Sequence, residues 1–277
     1  MLRTRILTAL VAIPLALATV YVGGWLLAGA VAALSVLAAL ELRALATAAG
    51  IRWLCPLSVA AAPAVVLAAR LSPDAQLYVL AASTLLILGW ALLVDLPPAG
   101  LGAGAGLSVA IPLYAGLLPA CLVRLRDLPD AGGIVIGGLP LATGLAWTLF
   151  ALLTTWACDS FAFFGGRALG RRPFFPRISP RKTTEGAIAG LVGAGAVGLA
   201  CAGALGVGPA FGFAAGLLCG VAAEAGDLAE SLLKRAAGVK DSGGLFPGHG
   251  GVLDRIDSLL FVGVVALLAF QLAKVMA

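Results

Sequence analysis

The sequence predicts an all-α polytopic integral membrane protein, with about nine transmembrane helices and its N-terminus in the cytoplasm. Three observations carry this expectation. Apolar runs of membrane-spanning length recur from end to end. Of the 277 residues, 61% are hydrophobic and 11% charged, where a soluble domain carries about a quarter charged residues. The lysines and arginines also fall mainly on one side of the expected spans. The runs are continuous rather than alternating, which argues against a β-barrel. Abundant Ala and Gly suit close helix–helix approach in lipid.

The expected spans are roughly 5–22, 25–42, 54–70, 77–94, 105–123, 142–165, 186–206, 209–233 and 252–274. The first begins "MLRTRILTALVAIPLALA", basic residues before an apolar core, which is also the form of a signal peptide. A second apolar segment follows within a few residues, as in a first helical hairpin, so the segment reads as a retained helix. The fifth follows "PPAGLGAGAGLS" (97–108), a low-complexity turn and helix start. The eighth turns polar at its C-terminal end, which is expected to reach water or line a polar cavity.

A cytoplasmic N-terminus places 14 of the 18 lysines and arginines on the cytoplasmic side, with Arg70, Arg124, Arg126 and Lys274 opposite. Loops 166–185 and 234–251 then face the cytoplasm. Orientation and contact with anionic lipid account for many of these cations, and no nucleic-acid partner is expected. The acids are another matter. Residues 159–257 hold 18 of the 31 charged residues, and the first 158 residues hold 12. Charge at membrane depth is costly and marks function. By composition, 1–140 is an apolar transmembrane scaffold and 141–277 is the catalytic transmembrane region. Cys55, Cys121, Cys158, Cys201 and Cys219 form no CxxC pair and read as small apolar filler.

In "AAEAGDLAESLLKR", Glu224, Asp227, Ser231 and Lys234 are spaced to share one helix face, with Glu230 beside them. The stripe reads either as an internal ion-pair ladder, such as Asp227 to Lys234, or as a metal site with a nearby cation. In "GVKDSGGLFPGHGG" (238–251), six of 14 residues are glycine. Such a loop lets backbone N–H groups approach an anion, and Lys240 adds charge. His249, the single histidine, is a candidate phosphate ligand or acid–base group. "LDRID" then opens the last helix with Asp254 and Asp257 one turn apart. Acids there could cap the helix. Beside a second acidic helix end they fit a divalent metal better, and oxygen donors favour Mg²⁺ completed by substrate phosphates. Upstream, "CDSFAFFGGRALGRRPFFPRISPRKTTEG" (158–186) adds Asp159 and the cations Arg167, Arg171, Arg172, Arg181 and Lys182, which suit phosphate. Glu185 lies near the next helix start. Together these features indicate Mg²⁺-assisted phosphate chemistry at a cytoplasmic membrane face.

"SLLKRAAGVKDSGGLFPGHGGVLDRID", Ser231 to Asp257, resembles the signature of phosphatidate cytidylyltransferases, also called CDP-diacylglycerol synthases. Its fixed positions are all present. "SPRKTTEG" (179–186) is similar to that family's Ser-Pro-Lys-Lys-Thr-Trp-Glu-Gly block, with Arg181 for Lys and Thr184 for Trp. "DSFAFFGGRALG" resembles its Asp-Thr-Phe-Ala-Tyr block, with Phe163 for Tyr. The first 140 residues match only in hydropathy. The resemblance implies the reaction CTP + phosphatidate → CDP-diacylglycerol + pyrophosphate in phospholipid biosynthesis. It also implies Mg²⁺, a potassium ion beside it, a homodimer and a multi-pass location in the inner membrane. Carried over by position, Asp227, Asp254 and Asp257 are expected to bind metal. Lys234, Arg235, Lys240 and Arg255 are expected to hold phosphates or pair with the acids. Ser179, Lys182, Thr183 and Ser231, with Gly250 and Gly251, are expected at the substrate, and His249 is expected to orient phosphate. Two other readings use the same charges: a CTP-dependent polyprenol or lipid kinase, which releases CDP, and a cation-coupled transporter.

Overall fold

The computed structural model describes residues 2–52, 55–95, 98–130, 135–136, 139–245 and 250–276. Among these it contains nine helices. They are α1 (Leu2–Val22), α2 (Gly24–Ala48), α3 (Leu57–Leu71), α4 (Pro73–Leu92), α5, α6 (Thr143–Leu169), α7 (Thr184–Leu205), α8 (Pro209–Ala236) and α9 (Leu253–Met276). Helix α5 is composite: Pro98–Ile111 and Leu118–Arg126 flank a π-helical stretch, Pro112–Leu117. Pro112 explains the irregularity, because proline has no N–H to donate and its ring collides with the preceding turn. Strand is confined to two short antiparallel pairs, β1 (Val135–Ile136) with β2 (Leu139–Pro140), and β3 (Pro173–Phe175) with β4 (Ser179–Thr183).

Among the described residues, seven helices are long and apolar enough to cross a membrane: α2, α4, α5 from Gly100, α6, α7, α8 and α9. The apolar stretches Leu10–Val22 and Leu57–Leu71 are shorter. Leu77, Tyr78, Leu85, Leu86, Leu92 and Leu93 on and just after α4 are all exposed, as suits a helix whose surroundings are lipid. Helix α2 runs six residues beyond the expected end at 42. The apolar run stops at Glu41 and Arg43, but "ALATA" continues in residues with good helix propensity. The helix therefore carries Glu41 inside it.

The chain forms two compact units. The first comprises Met1–Arg124 and Leu233–Ile256, and the second Leu125–Leu232 and Asp257–Ala277. In the first, Ala38, Ala39, Leu42 and Leu45 of α2 pack with Ala62 of α3, Ile111 and Ala115 of α5, Ala237 and Leu253. The Ser35 hydroxyl donates to the carbonyl of Ala115, which answers a backbone acceptor near the π-helical stretch. Ser72 caps α4 by accepting the N–H of Ala75 at 2.9 Å, with Pro73 at the first helical position.

The second unit is built around Trp147 and Phe150 of α6. Trp147 stacks edge-on against Phe150 and Phe270, at centroid distances of 5.6 and 5.7 Å. Helices α7 and α8 meet through small residues at four-residue spacing, Ala194, Gly198 and Ala202 against Gly212, Gly216 and Gly220. A Cβ on Gly212 would stand 2.6 Å from the Gly198 carbonyl oxygen, and one on Gly198 would collide with the Gly212 carbonyl. Apolar area alone provides no drive between helices in lipid, so association rests on this close van der Waals fit. Gly198→Leu is accordingly expected to destabilise the protein by about 1–3 kcal/mol or more. Gly203→Leu, at a position with open space around it, should leave stability nearly unchanged. Thermal unfolding of both variants in detergent checks this.

Candidate functional site

The second unit gathers acids around one lysine. Thr183 ends β4 and caps α7, its Oγ1 accepting the Gly186 N–H at 3.2 Å. Glu185, in the first turn of α7, accepts the N–H groups of Arg171 and Arg172 at 3.0 and 3.2 Å. These bonds tie the β3–β4 hairpin to the helix start and set Lys182 against α8. The Lys182 ammonium lies 2.7 Å from Glu224 and 2.9 Å from Asp227. Burial alone would lower its pKa. The carboxylates of Asp227 and Glu224 outweigh that and hold it above the ordinary lysine value. The stabilisation from this charge is therefore complete at neutral pH and fades only as pH rises through the raised pKa. Ser231 donates to the other oxygen of Asp227 at 3.3 Å. Asp159 of α6 and Asp257 of α9 belong to the same electrostatic neighbourhood. Gly226 brings Asp257 there: a Cβ on it would stand 3.0 Å from the Ser258 Cα, so α8 and α9 touch backbone to backbone. Two carboxylates hold the Lys182 ammonium, and Asp159 lies within electrostatic reach of both, of Lys182 and of Asp257.

The first unit holds the second cluster. Lys234, in the last turn of α8, donates to Asp254 at 2.5 Å. The other Asp254 oxygen accepts the N–H groups of Ser242 and Gly251 at 2.9 and 2.8 Å. The Ser242 hydroxyl lies 2.9 Å from Asp254 and 3.0 Å from Glu41, so its one proton is shared between two carboxylates. Glu41 also accepts the N–H groups of Val252 and Leu253, at 2.8 and 2.9 Å. Gly250 adopts φ +80°, and a Cβ there would run into Asp254. Gly243 and Gly251 lie against Glu41. The bare backbone expected to admit phosphate thus lies, at these three glycines, against carboxylates of the protein itself.

Lys240, Arg235 and Arg255 are exposed, with the Arg235 guanidinium donating to the Val239 carbonyl at 3.3 Å. Ser179 is half-buried in β4. His249 lies outside the described residues. Among the described residues, no group of three or more Asp, Glu, His or Cys side chains is arranged to hold a metal ion. Asp227 and Asp257 belong to the second unit, Asp254 to the first. Glu41 and Ser242 were not among the expected site residues. A signal existed for Glu41, the sole acid in the first 73 residues, set inside an apolar run. Ser242 carried none.

Fold and site together define a multi-pass membrane protein whose charged chemistry is assembled at helix ends and the segments joining them. A family model described as the cytidylyltransferase family matches residues 3–273. The chain is 35% identical over 275 residues to the phosphatidate cytidylyltransferase of Synechocystis sp., covering 93% of this chain and 92% of that protein. It is 42% identical over 170 residues to phosphatidate cytidylyltransferase 4, chloroplastic, of Arabidopsis thaliana, and 44% identical over 145 residues to the phosphatidate cytidylyltransferase of Helicobacter pylori. Those matches cover 55% and 51% of this chain, and span 42% and 54% of the two relatives' lengths. The chain belongs to the cytidylyltransferase family.

The ion pairs around Lys182 make a stability prediction. Lys182→Met leaves Glu224 and Asp227 without their ammonium and is expected to cost about 1.5–3 kcal/mol. Adding Glu224→Gln should cost less than the sum of the two single changes. Unfolding midpoints of both single variants and the double variant in detergent measure the coupling.

Proposed function

We propose that this chain is a phosphatidate cytidylyltransferase, catalysing CTP + phosphatidate → CDP-diacylglycerol + pyrophosphate in phospholipid synthesis. The observation that carries the reading is the match to the Synechocystis enzyme over 93% of the chain. The acid and lysine clusters support it, because they place the residue types that this chemistry requires on the elements just described.

A phosphatidate oxygen attacks the α-phosphorus of CTP. The bond from that phosphorus to the bridging oxygen breaks, and pyrophosphate leaves with its electron pair. The attacking phosphate is already an anion, so no strong base is required. The obstacle is repulsion between two polyanions, which fixed positive charge and positioning overcome. Lys182 and Lys234 are the best-placed cations, each held by carboxylates of its own unit. Substrate phosphate offers each ammonium an alternative partner. Arg235, Lys240 and Arg255 are exposed where they can meet phosphate. The hydroxyls of Ser179, Thr183 and Ser231 act at the substrate's rim, and His249 orients phosphate.

Mg²⁺ is the proposed cation, because carboxylate oxygens suit a hard cation. Asp227 and Asp257 of the second unit would hold it, with K⁺ beside it. When bound, the metal supplies charge neutralisation at the phosphates. Loops 166–185 and 234–251 face the cytoplasm in this reading, and the protein works as a homodimer in the inner membrane.

Purified protein incubated with labelled CTP, phosphatidate and Mg²⁺ is expected to yield labelled CDP-lipid and one pyrophosphate per turnover. Folded protein that forms no CDP-lipid overturns the reading, and label released as CDP points to a lipid kinase instead. Asp254→Asn is expected to abolish turnover while the protein stays folded. Wild-type turnover in that variant would remove Asp254 from the site.

A further inference from the structure

Glu41 stands about 200 positions in sequence from the segment it binds. Its two carboxylate oxygens accept the N–H groups of Val252 and Leu253. Those groups sit at the start of α9, where a helix has no acceptors of its own. A carboxylate from a distant helix thus does what a local Ser or Asp does at most helix starts, and does it where the helix dipole favours negative charge.

The surrounding backbone is shaped to that carboxylate. A Cβ on Gly243 would lie 2.7 Å from its Oε1, and one on Gly251 would collide with both of its oxygens. Two glycines of one loop are therefore bare on the side where Glu41 enters. Below it, Leu42 and Leu45 of the same helix share an apolar cluster with Leu253, the residue whose N–H Glu41 accepts. The carboxylate is anchored by its helix on one side and spent on backbone N–H groups on the other. Cation binding is not needed to explain its position.

The contact reaches the site through Ser242 and Gly251. Ser242 shares its hydroxyl proton between Glu41 and Asp254. The N–H groups of Ser242 and Gly251 fix the Asp254 oxygen that does not receive Lys234. Glu41 and Asp254 thus both bind Ser242 and, between them, the backbone of Gly251, Val252 and Leu253. Release of Glu41 frees the donors that orient Asp254, and with it the Lys234 ammonium.

We propose that Glu41 is a positioning residue of the transferase reaction, a cap supplied from α2 that fixes residues 242–243 and 251–253 and thereby Asp254 and Lys234. The kinetic part of this inference rests on the reading of the chain as a cytidylyltransferase. The geometric part does not. A displacement of about 1 Å at a reacting group lowers rates by up to about 100-fold, whereas substrate affinity depends on many separate cations. The effect therefore falls on kcat rather than on KM.

The test uses the full chain with Glu41→Ala and Glu41→Gln, read by steady-state kinetics and by amide hydrogen exchange. In Glu41→Ala, kcat is expected to fall about 10- to 100-fold, with KM for CTP within about threefold of wild type. Exchange in peptides covering 242–253 should rise while α6 and α7 keep their protection. Glu41→Gln keeps one acceptor oxygen and should recover part of kcat. Glu41→Ala with wild-type kcat overturns the proposal, as does a loss of kcat accompanied by faster exchange throughout the chain. If Glu41→Ala does not fold, Glu41→Gln decides, and wild-type kcat in that variant overturns the role. If the wild-type chain makes no CDP-lipid, the reaction assigned above fails. The exchange measurement still stands alone, and unchanged protection of 242–253 in Glu41→Ala overturns the clasp.

Discussion

A carboxylate or ammonium set among apolar helices has little water to solvate it and must find its counter-charge or its N–H donors in the protein. Much of the polar architecture here follows from that requirement. Lys182 reaches from a β-hairpin to two acids on α8. Lys234 reaches from the end of α8 to Asp254. Glu41 binds the backbone at the start of α9. Each arrangement crosses from one element to another, so matching the charge also fixes the elements that carry it.

The glycines divide into two populations with different physical roles. Gly198, Gly212 and Gly216 let α7 and α8 approach until backbone meets backbone, the means of helix association that lipid leaves available. Gly243, Gly250 and Gly251 let carboxylate oxygens approach a loop. Gly226 belongs to the first kind and brings α8 onto α9 at the backbone of Asp257 and Ser258. The flexibility usually associated with a glycine-rich loop is a poor description of these three positions, where the missing side chain makes room for a fixed contact.

A nucleotidyl transfer between two polyanions calls for positive charge held in a fixed place. The observed pairs meet that need in an economical way. Lys182 and Lys234 are each held in place by carboxylates, and in the proposed reaction incoming phosphate competes with those acids for them. The acids freed by such an exchange are the oxygen donors a hard cation prefers. This link between the pairing seen in the fold and the proposed chemistry explains why the acids and lysines occur together rather than on separate surfaces.

The sequence by itself determined the class and nine helices, seven of which, among the described residues, are long and apolar enough to cross a membrane. Hydropathy and helical spacing are local properties, and the one-turn interval of Asp254 and Asp257 or the stripe from Glu224 to Lys234 follows from 3.6 residues per turn. The motif from Ser231 to Asp257 was legible for the same reason, as types at fixed spacing. Partners were not legible. The ladder from Asp227 to Lys234 was a fair reading of spacing, yet Lys182 lies on Asp227 and Lys234 on Asp254, because the hairpin and the last helix bring closer counter-charges. In the sequence, Glu41 is simply the first acid, set inside an apolar run. Only the tertiary structure joined it to Ser242, Val252 and Leu253, since contacts across some 200 residues depend on how helices pack and leave no period in the sequence.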